Sequence, residues 1–560
     1  MPTVAPTPHV NVPVDKPVHV VFLGGALWGH ARSGVHLSVE LCIKSPNLAI
    51  SFVMSPEFVK KARPQFEAIL FDQAPNADVA QDVRRRFQFV SVYPPVNYEC
   101  QQRYANTPGQ AVEEAGVAFV AFWRKIHQEP QELPPPSMLI VDLFADYERE
   151  QLKSVSDVPI VFFWSSSLSH FAFYYGSKEL NALSGPFQET LDTITDIEEL
   201  EDAQAQAWSS SSKDVVKMGD VPPLYRHEHT CTQIGALAEI GFLMRCASSS
   251  AFKKCDAAII TSGSWIEPEA RKHIRSYWDT ILQKPTYAVN VRVSPKDRAD
   301  LALSTKRLQA LSPPEKEIIS FLDNALATYG PESVLYLSFG TAFAPFTTPW
   351  QVDIFIDTLV EHRRPFIFSQ ASVQPIMNPG LEARIKKAQE AGLCGTASWI
   401  PQEAVLHHKA LGAFVTHGGW NSFCEGIAAA TPMIFWPFAV DQPFNAALFS
   451  EGEEPAGWQL YETRGPAVAE LTPYVFRDGP RKCGVTGETI PVPTGTPEAL
   501  RAEFERVLIR QAAAGSEELR KRRMRMEVMR QKFIDSTKAG GETDQAMVDL
   551  LQPIGCTFAL

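Results

Sequence analysis

The sequence has no arrangement of cysteines that could organise a small domain. Its nine cysteines are scattered, odd in number and contain no C-x-x-C pair, which argues against a disulfide framework and against a zinc site. Long apolar runs are also missing: the longest, Ala428–Val440, contains Pro432 and Pro437 and is too short to span a bilayer. Residues 1–17 lack the basic start and the apolar stretch of a signal peptide. We therefore expect a cytoplasmic protein with no integral membrane segment and no metal site.

Basic residues are fewer than acidic ones. The chain has 52 Lys and Arg against 64 Asp and Glu, a formal net charge of -12, which disfavours binding to a phosphate backbone. Nucleic acid is therefore not an expected partner. Apolar residues make up 45% and charged residues 21% of the 560 residues, a composition typical of globular proteins. The length predicts about two to four domains, with two large ones the simplest arrangement.

Strand-like and helix-like segments alternate along the chain. The strand-like segment Val18–Leu23 is followed by a glycine-rich turn and by the helix-like segment Ser33–Ile43. The same order recurs in both halves. The further predicted strands are Ala49–Met54, Phe87–Val92, Met138–Val141, Ile160–Trp164, Ala257–Thr261, Val334–Phe339, Pro365–Phe368, Ala413–Thr416 and Met433–Trp436. This alternation predicts an α/β fold with parallel, doubly wound sheets.

Composition changes along the chain suggest where the domains end. An acidic, serine-rich stretch interrupts the first half, and a polar stretch with several prolines precedes the second series of strands. The predicted organisation is a loose tail at 1–17, a first domain at 18–295 with a mobile insertion at 185–229, a linker at 296–325, a second domain at 326–530, and a C-terminal helix at 531–560.

The densest group of functional residues lies between Trp399 and Gln442. The strand Ala413–Thr416 is followed by His417 and two glycines and then by a helix, which brings free backbone N–H groups to the carboxyl edge of a sheet. This arrangement predicts an anion site suited to a diphosphate. Glu425, one helical turn further on, could bind ribose hydroxyls. A dinucleotide cofactor such as NAD is disfavoured, because the glycine-rich turn near the amino terminus lacks the G-x-G-x-x-G spacing.

These residues resemble the family 1 UDP-sugar-dependent glycosyltransferases, which include the plant enzymes of secondary metabolism. Trp399 to Gln442 spans 44 residues, which is the length of the family's signature box, and the segment around Ser338 and Thr341 resembles the turn that faces the phosphates. The resemblance follows the family order over about 500 residues. It implies a GT-B fold, with two Rossmann-like domains facing across a cleft, the donor in the second domain and the acceptor in the first.

The resemblance also implies a role for each matching residue. Trp399 would stack on uracil, and Gln402 with Glu425 would hold the ribose. The closing Gln442 implies glucose as the sugar of the UDP-hexose. The residues implied at the diphosphate are Ser338, Thr341, His417, Gly419, Asn421 and Ser422, and those implied at the sugar are Trp420, Asp441 and Gln442. Gly418 and Gly426 depart from the family pattern, where Cys and Ser are common, and both substitutions keep a small residue.

A second group of residues lies in the first domain. His30 follows the glycine-rich turn, and in the family a histidine at this place is the catalytic base; Asp142, at the end of a predicted strand, would hold its far ring nitrogen. Asp146 is an alternative partner, and a purely structural His30 is an alternative reading. The implied reaction inverts the anomeric centre by direct displacement, with no metal or other cofactor, since helix dipoles would stabilise the leaving UDP.

An aromatic stretch in the first domain could form either core or an acceptor pocket. Its candidate acceptor-binding residues are Phe163, Trp164, Phe171 and Tyr174. A pocket of this kind would suit a small, hydroxylated, mostly apolar acceptor. Two other functions stay open: a UDP-sugar epimerase or hydrolase on the same fold, and a protein that binds UDP-sugar without catalysis.

Overall fold

Each half of the chain contains one parallel β-sheet. The computed structural model describes residues 16–24, 28–92, 108–129, 132–143, 157–180, 193–194, 199, 213–229, 255–290, 311–341, 343–451, 454–464, 472–483 and 486–558, with only the backbone of 108–117. The two sheets have seven and six strands, and every pairing within them is parallel. The predicted α/β class is therefore confirmed.

The first half of the chain forms strands β1–β9 and helices α1–α6. The strands are β1 Val18–Leu23, β2 Leu48–Val53, β3 Phe87–Val90, β4 Met138–Asp142, β5 Ile160–Trp164, β6 Val215–Met218, β7 Val221–Tyr225, β8 Ala257–Ile260 and β9 Thr286–Ala288. The helices are α1 Trp28–Lys44, α2 Pro56–Gln73, α3 Ala77–Arg86, α4 Pro108–Gln128, α5 Leu168–Tyr175 and α6 Pro268–Ile274. The large sheet has the order β3-β2-β1-β4-β5-β8-β9, while β6 and β7 pair as an antiparallel hairpin.

The second half repeats this plan. Its strands are β10 Val334–Ser338, β11 Phe366–Ser369, β12 Cys394–Ala397, β13 Leu411–Thr416, β14 Met433–Phe435, β15 Gly457–Gln459, β16 Arg481–Lys482 and β17 Thr489–Ile490. Its helices are α7 Pro313–Tyr329, α8 Trp350–Glu361, α9 Pro379–Glu390, α10 Gln402–Leu406, α11 Trp420–Ala428, α12 Gln442–Ser450, α13 Pro497–Phe504, α14 Glu517–Thr537 and α15 Glu542–Leu551. The parallel sheet has the order β12-β11-β10-β13-β14-β15.

The strands of both sheets are apolar because helices cover both faces. β1, with the sequence VHVVFL, is buried along its whole length, as are β10 and β13. In each sheet the strand order reverses between two central strands, β1 and β4 in the first and β10 and β13 in the second. Ligands of doubly wound sheets bind at this reversal, beyond the carboxyl ends of the strands. The residues that follow these four strands are therefore the first place to look for a site.

Three predicted boundaries differ from the structure. The end of the predicted mobile insertion, 213–229, forms the hairpin β6–β7 and a 3₁₀ turn, Arg226–His229, whose four residues are all buried; most of 185–212 lies outside the described residues. The polar, serine-rich composition misled the prediction, because the apolar side of the hairpin packs on the core of the first domain and on Phe444 and Ala447 of the second. The second half of the predicted linker 296–325 begins α7, whose apolar side packs on the second sheet.

The chain returns to the first domain later than position 531. Helix α14 continues through 531 and packs on α11 of the second domain. Helix α15 then places Met547 and Leu551 in the core formed by β1, β2 and α1. Glu542, at the start of α15, accepts hydrogen bonds from the backbone N–H and the hydroxyl of Ser264, both at 2.7 Å. The return is therefore made by the segment between Thr537 and Glu542.

Candidate active site

His30 and Asp142 meet at the reversal of the first sheet. Asp142 is the last residue of β4, and His30 lies in the first turn of α1, which begins five residues earlier than the predicted helix start. Nδ1 of His30 is 3.0 Å from Oδ2 of Asp142. The aspartate side chain is 1% exposed and the histidine side chain 20% exposed. The carboxylate keeps a proton on Nδ1, so that Nε2 carries the lone pair.

The reversal of the second sheet is shaped by glycines. Gly340 and Gly418 have φ angles of 76° and 84°, a region that suits glycine. The ring of His417 lies against Gly340, where an added Cβ would be 2.7 Å from the ring's Cε1. Burial lowers the pKa of His417 to about 4, so the ring is neutral at pH 7. Gly419 is the N-cap of α11, whose first N–H groups therefore point towards the carboxyl edge of β10 and β13.

Ser338 and Thr341 lie on the other side of this glycine turn. Ser338 is the last residue of β10, and its hydroxyl accepts a hydrogen bond from the backbone N–H of Gly340 at 3.3 Å. Ser338 is paired in register with Thr416, the residue before His417. The serine is buried, whereas Thr341 is partly exposed. Both predicted phosphate residues therefore lie at the carboxyl edge that also carries His417.

Gln402 and Glu425 form one polar network. The amide nitrogen of Gln402 donates to Oε2 of Glu425 at 2.5 Å, and its oxygen accepts from the hydroxyl of Tyr336 at 2.9 Å. These two contacts fix the orientation of the amide. The amide nitrogen also lies 3.5 Å from the hydroxyl of Ser422. Trp399 is 44% exposed, so the face of its ring is accessible for stacking.

Helix α1 contacts the second domain directly at these residues. Arg32 forms an ion pair with Oε1 of Glu425 at 2.7 Å. The hydroxyl of Ser33 donates to Oδ1 of Asn421 at 2.5 Å, and Nδ2 of Asn421 donates to the carbonyl of Gly29 at 2.9 Å. These contacts place the first turn of α1, which carries His30, against the helix predicted to bind the diphosphate. Arg32 and Ser33 were not predicted, because their roles depend on how the two domains meet.

Asp441 and Gln442 lie where α12 begins. Oδ2 of Asp441 accepts hydrogen bonds from the backbone N–H of Trp420 at 3.0 Å, the amide of Asn445 at 3.0 Å and the hydroxyl of Ser166 at 3.2 Å. Burial raises the pKa of Asp441, and these hydrogen bonds oppose the rise. The side-chain oxygen of Gln442 accepts from the backbone N–H of Phe438 at 2.9 Å, which leaves its amide nitrogen as the group that could meet a ligand.

The indole ring of Trp420 does not face a sugar site. It is buried against Phe423, with ring centroids 4.8 Å apart, and its N–H donates to the carbonyl of Thr261 in the first domain at 2.5 Å. Only the backbone N–H of Trp420 points to Asp441. The ring therefore joins the two domains, and the predicted place of Trp420 at the sugar would depend on its backbone, next to Asp441.

The four aromatic residues predicted at the acceptor belong to the core. Phe163 and Phe171 are fully buried, and Trp164 and Tyr174 are 1% and 4% exposed. Successive residues of β5 point to opposite faces of the sheet, so Phe163 packs on Phe22 below it while Trp164 packs against α5. The structure thus favours the core reading. Asp146, the alternative partner of His30, lies outside the described residues.

Among the described residues, no group of three or more histidines, cysteines or carboxylates is arranged to hold a metal ion. In the same part of the chain, no helix has both the length and the apolar character needed to cross a membrane. The polar groups that meet at the two sheet reversals are hydroxyls, amides, carboxylates, imidazoles and backbone N–H groups. Such a set can bind a nucleoside diphosphate through hydrogen bonds and a helix N-terminus.

Known proteins resemble this chain in both sequence and fold. Residues 318–454 match the family model described as "UDP-glucoronosyl and UDP-glucosyl transferase". The (R)-mandelonitrile beta-glucosyltransferase of Prunus dulcis is 25% identical over 446 residues, which cover 77% of this chain and 83% of the relative. The myricetin 3-O-rhamnoside 1,2-glucosyltransferase UGT709G2 of Crocosmia x crocosmiiflora is 34% identical over 196 residues, covering 35% of this chain and 38% of the relative.

Solved structures resemble the whole described architecture. Medicago truncatula UGT71G1, solved with UDP-glucose, has a TM-score of 0.63 and 17% identity, covering 97% of this chain and 99% of that chain. A UGT transferase of Siraitia grosvenorii, solved with UDP, also has a TM-score of 0.63. The fold is therefore that of the GT-B glycosyltransferases. Together with the sequence match over residues 318–454, the fold shows that the chain resembles the family 1 UDP-glycosyltransferases.

Proposed function

We propose that the protein transfers glucose from UDP-glucose to a hydroxyl group of a small, mostly apolar acceptor, with inversion at the anomeric carbon. The observation that carries this proposal is the pair His30 and Asp142, with 3.0 Å between Nδ1 and Oδ2. The same helix turn contacts Asn421 through Ser33 and Gly29. A polarised histidine therefore lies next to the helix that would bind the donor diphosphate.

The donor would lie along the carboxyl edge of the second sheet. In this arrangement the exposed ring of Trp399 stacks on uracil, and Glu425 and Gln402 bind the ribose hydroxyls. Asn421, Ser422, Ser338, Thr341, the neutral His417 and the N–H groups after Gly419 surround the diphosphate. Asp441 and the amide nitrogen of Gln442 bind the sugar hydroxyls. The support for these roles is the shared edge on which all of these groups lie.

The reaction would be a single displacement. Nε2 of His30 takes the proton of the acceptor hydroxyl while the acceptor oxygen forms a bond to the anomeric carbon. The bond from that carbon to the diphosphate oxygen breaks, and its electron pair leaves with UDP, stabilised by the N-terminus of α11. Asp142 stabilises the imidazolium ion that forms. Attack from the face opposite the leaving group inverts the anomeric centre, and no metal takes part.

The class of acceptor is proposed from the relatives. Their names include glucosyltransferases of anthocyanidin and of 7-deoxyloganetin in addition to mandelonitrile. These names support an acceptor that is a small hydroxylated molecule of secondary metabolism. The aromatic residues of β5 and α5 do not line its pocket, because they are buried in the core.

The test is UDP release from UDP-glucose with and without a mixed panel of phenols, sterols and hydroxylated lipids. We expect release to require an acceptor and to fall by roughly 10²–10⁴-fold in His30→Ala, the range of general base catalysis. Asp142→Asn should slow transfer strongly and leave UDP affinity unchanged. The exposed His362, at 41% side-chain exposure, provides the control His362→Ala, which should keep full activity.

Other outcomes would point to the alternative functions. Release from UDP-glucose without any acceptor would indicate a hydrolase, and conversion of the sugar without UDP release would indicate an epimerase. Binding of UDP-glucose without turnover across the panel would favour a binding protein. Loss of UDP affinity in Asp142→Asn, equal to its loss of rate, would make Asp142 a structural residue.

A further inference from the structure

The corner that carries Asp441 is held by residues of the other domain. Val440 has a φ of 66°, a conformation that β-branched residues rarely adopt. Its backbone N–H donates to the carbonyl of His229 at 3.1 Å, and Ser166 donates to Asp441 at 3.2 Å. Both partners come from the first domain. The backbone and the side chain at this corner thus depend on contacts between domains.

The position of Ser166 is itself well defined. It lies between β5 and α5, next to Ser167, whose hydroxyl caps α5 by accepting from the N–H of His170 at 3.1 Å. The buried carboxylate of Glu267 accepts hydrogen bonds from the first two N–H groups of α5, those of Leu168 and Ser169, at 2.8 Å each. Because the start of α5 is capped twice, the backbone at Ser166 has little freedom to move.

The direction of the hydrogen bonds follows from proton counting. Nδ1 of His170 lies 3.2 Å from the hydroxyl oxygen of Ser166. A serine hydroxyl has one proton, and the ionised carboxylate of Asp441 can only accept. Ser166 therefore donates to Asp441 and accepts from Nδ1–H of His170. Burial lowers the pKa of His170 well below its usual value, so the ring is neutral and its single proton is on Nδ1.

The two oxygens of Asp441 are used unequally. Oδ2 accepts from Trp420, Ser166 and Asn445. These three contacts with other residues all fall on Oδ2, and the residue is partly exposed. A carboxylate held through one oxygen presents the other in a defined direction, which is the arrangement needed to accept from a sugar hydroxyl.

We propose that Ser166, oriented by His170, is a positioning residue for Asp441, so that the sugar end of the donor site is complete only when the two domains are in contact. This rests on the proposed function, because Asp441 has this role only if the donor carries a sugar. Through the hydrogen bonds from His170 to Ser166 and from Ser166 to Asp441, the first domain would orient the carboxylate that binds the sugar. It would do so without contacting the nucleotide end of the donor.

The test compares the affinities of UDP and UDP-glucose by calorimetry. Ser166→Ala should weaken UDP-glucose binding about tenfold, the cost of losing a hydrogen bond to a charged group, and should change UDP binding by less than about twofold. Ser166→Thr keeps the hydroxyl and should restore UDP-glucose affinity. The matched control is Ser169→Ala, since the Ser169 hydroxyl donates to the carbonyl of Met218 instead.

Variants of His170 and Asp441 test whether Ser166 acts through the relay. His170→Leu should weaken UDP-glucose binding like Ser166→Ala, whereas His170→Asn, which keeps an N–H near Nδ1, should not. In an Asp441→Asn background, Ser166→Ala should add less than about a twofold loss, because coupled residues are not additive. If Ser166→Ala fails to fold, the His170 variants still test the proposal, because they leave Ser166 unchanged.

The contradicting results are specific. An equal loss of UDP and UDP-glucose affinity in Ser166→Ala would make Ser166 a general structural residue. If Ser166→Ala lowers UDP-glucose affinity by the same factor in the Asp441→Asn background as in the native protein, Ser166 does not act through Asp441. If the native protein binds UDP and UDP-glucose with equal affinity, Asp441 does not contribute to sugar binding and the positioning role is overturned. The proposed function fails on a different result, namely that no acceptor yields a glycoside.

Discussion

Two ion pairs join the same two domains but lie in different surroundings. Glu228 and Arg464 are 3.3 Å apart with side chains 1% and 4% exposed, and Glu228 also accepts from the backbone N–H groups of Tyr225 and Tyr474. Arg32 and Glu425 are 2.7 Å apart, and the arginine is 21% exposed. The first pair lies away from the residues proposed for the donor. The second uses a carboxylate that we propose for ribose binding.

This difference separates a permanent contact from an exchangeable one. A buried pair with extra hydrogen bonds is costly to break, because charges in the interior lose part of their compensation. The pair of Arg32 and Glu425 reaches solvent only through the arginine, at 21% against 7% side-chain exposure, so that it is screened more than the first pair and can be exchanged for a ligand at lower cost. We therefore infer that the domains remain joined at Glu228 and Arg464 while the donor enters beside Arg32.

The largest effect is expected from breaking the permanent contact. Glu228→Gln takes the paired carboxylate from the buried Arg464, which also interacts with Glu451, and should lower the free energy of unfolding by about 3 kcal/mol, measured by urea denaturation. The control is Glu361→Gln, which removes an exposed pair with Arg501 at 2.8 Å and should cost less than about 1 kcal/mol. Equal costs for the two variants would contradict the comparison.

Mild acid should lower the stability of the folded protein through His229, the residue after Glu228. Burial lowers the pKa of His229 to about 4, whereas the unfolded chain takes up this proton near pH 6.5. Stability is therefore present above pH 6.5 and is lost as the pH falls towards 4. At pH 5 the loss from this one residue is about 2 kcal/mol.

The variant His229→Gln isolates this contribution, because other buried groups titrate in the same range. Glu503, whose pKa burial raises to about 7, acts in the opposite direction, since the folded chain holds its proton at pH 5 and the unfolded chain does not. The difference between native protein and His229→Gln should shrink by about 2 kcal/mol from pH 7 to pH 5. An unchanged difference would mean that His229 is protonated in the folded protein.

The smallest effect is expected at the exchangeable contact. Arg32→Met frees Oε1 of Glu425 for the ribose and should tighten UDP binding about threefold to fivefold, the value of a partly exposed ion pair, as measured by calorimetry. The control is Arg63→Met, since Arg63 lies on α2 and packs over Phe89 of β3. Weaker UDP binding in Arg32→Met would instead make Arg32 a ligand of the donor, and the two ion pairs would no longer differ in kind.

The parallel strands were predictable because they are short, continuous apolar runs. β1 was predicted at its observed bounds, and β5 likewise, since a strand covered by helices on both faces is apolar throughout. β9, β12 and β15 were missed. Their sequences, TYA, CGTA and GWQ, contain only three or four residues and little apolar pattern, so that only their sheet partners reveal them.

The candidate site was predictable to different degrees in the two domains. In the second domain, the residues from Trp399 to Gln442 come from one continuous segment, so their spacing could be compared with a family pattern. In the first domain, an aromatic stretch does not show whether it faces a cavity or a core, and here it faces the core. The contacts of Arg32, Ser33 and Ser166 connect distant parts of the chain and have no local signal.

The sequence alone indicated the class of fold, because alternating strands and helices are a local pattern. The donor-binding segment and the pairing of His30 with Asp142 were implied by the resemblance to a known family, because their residues match its motifs in order. The tertiary structure alone decided which groups meet across the domains. Ser166 reaches Asp441 and Arg32 reaches Glu425 only because two sheets present their reversals to each other. Such contacts depend on how surfaces are oriented after folding, and sequence spacing carries no record of that orientation.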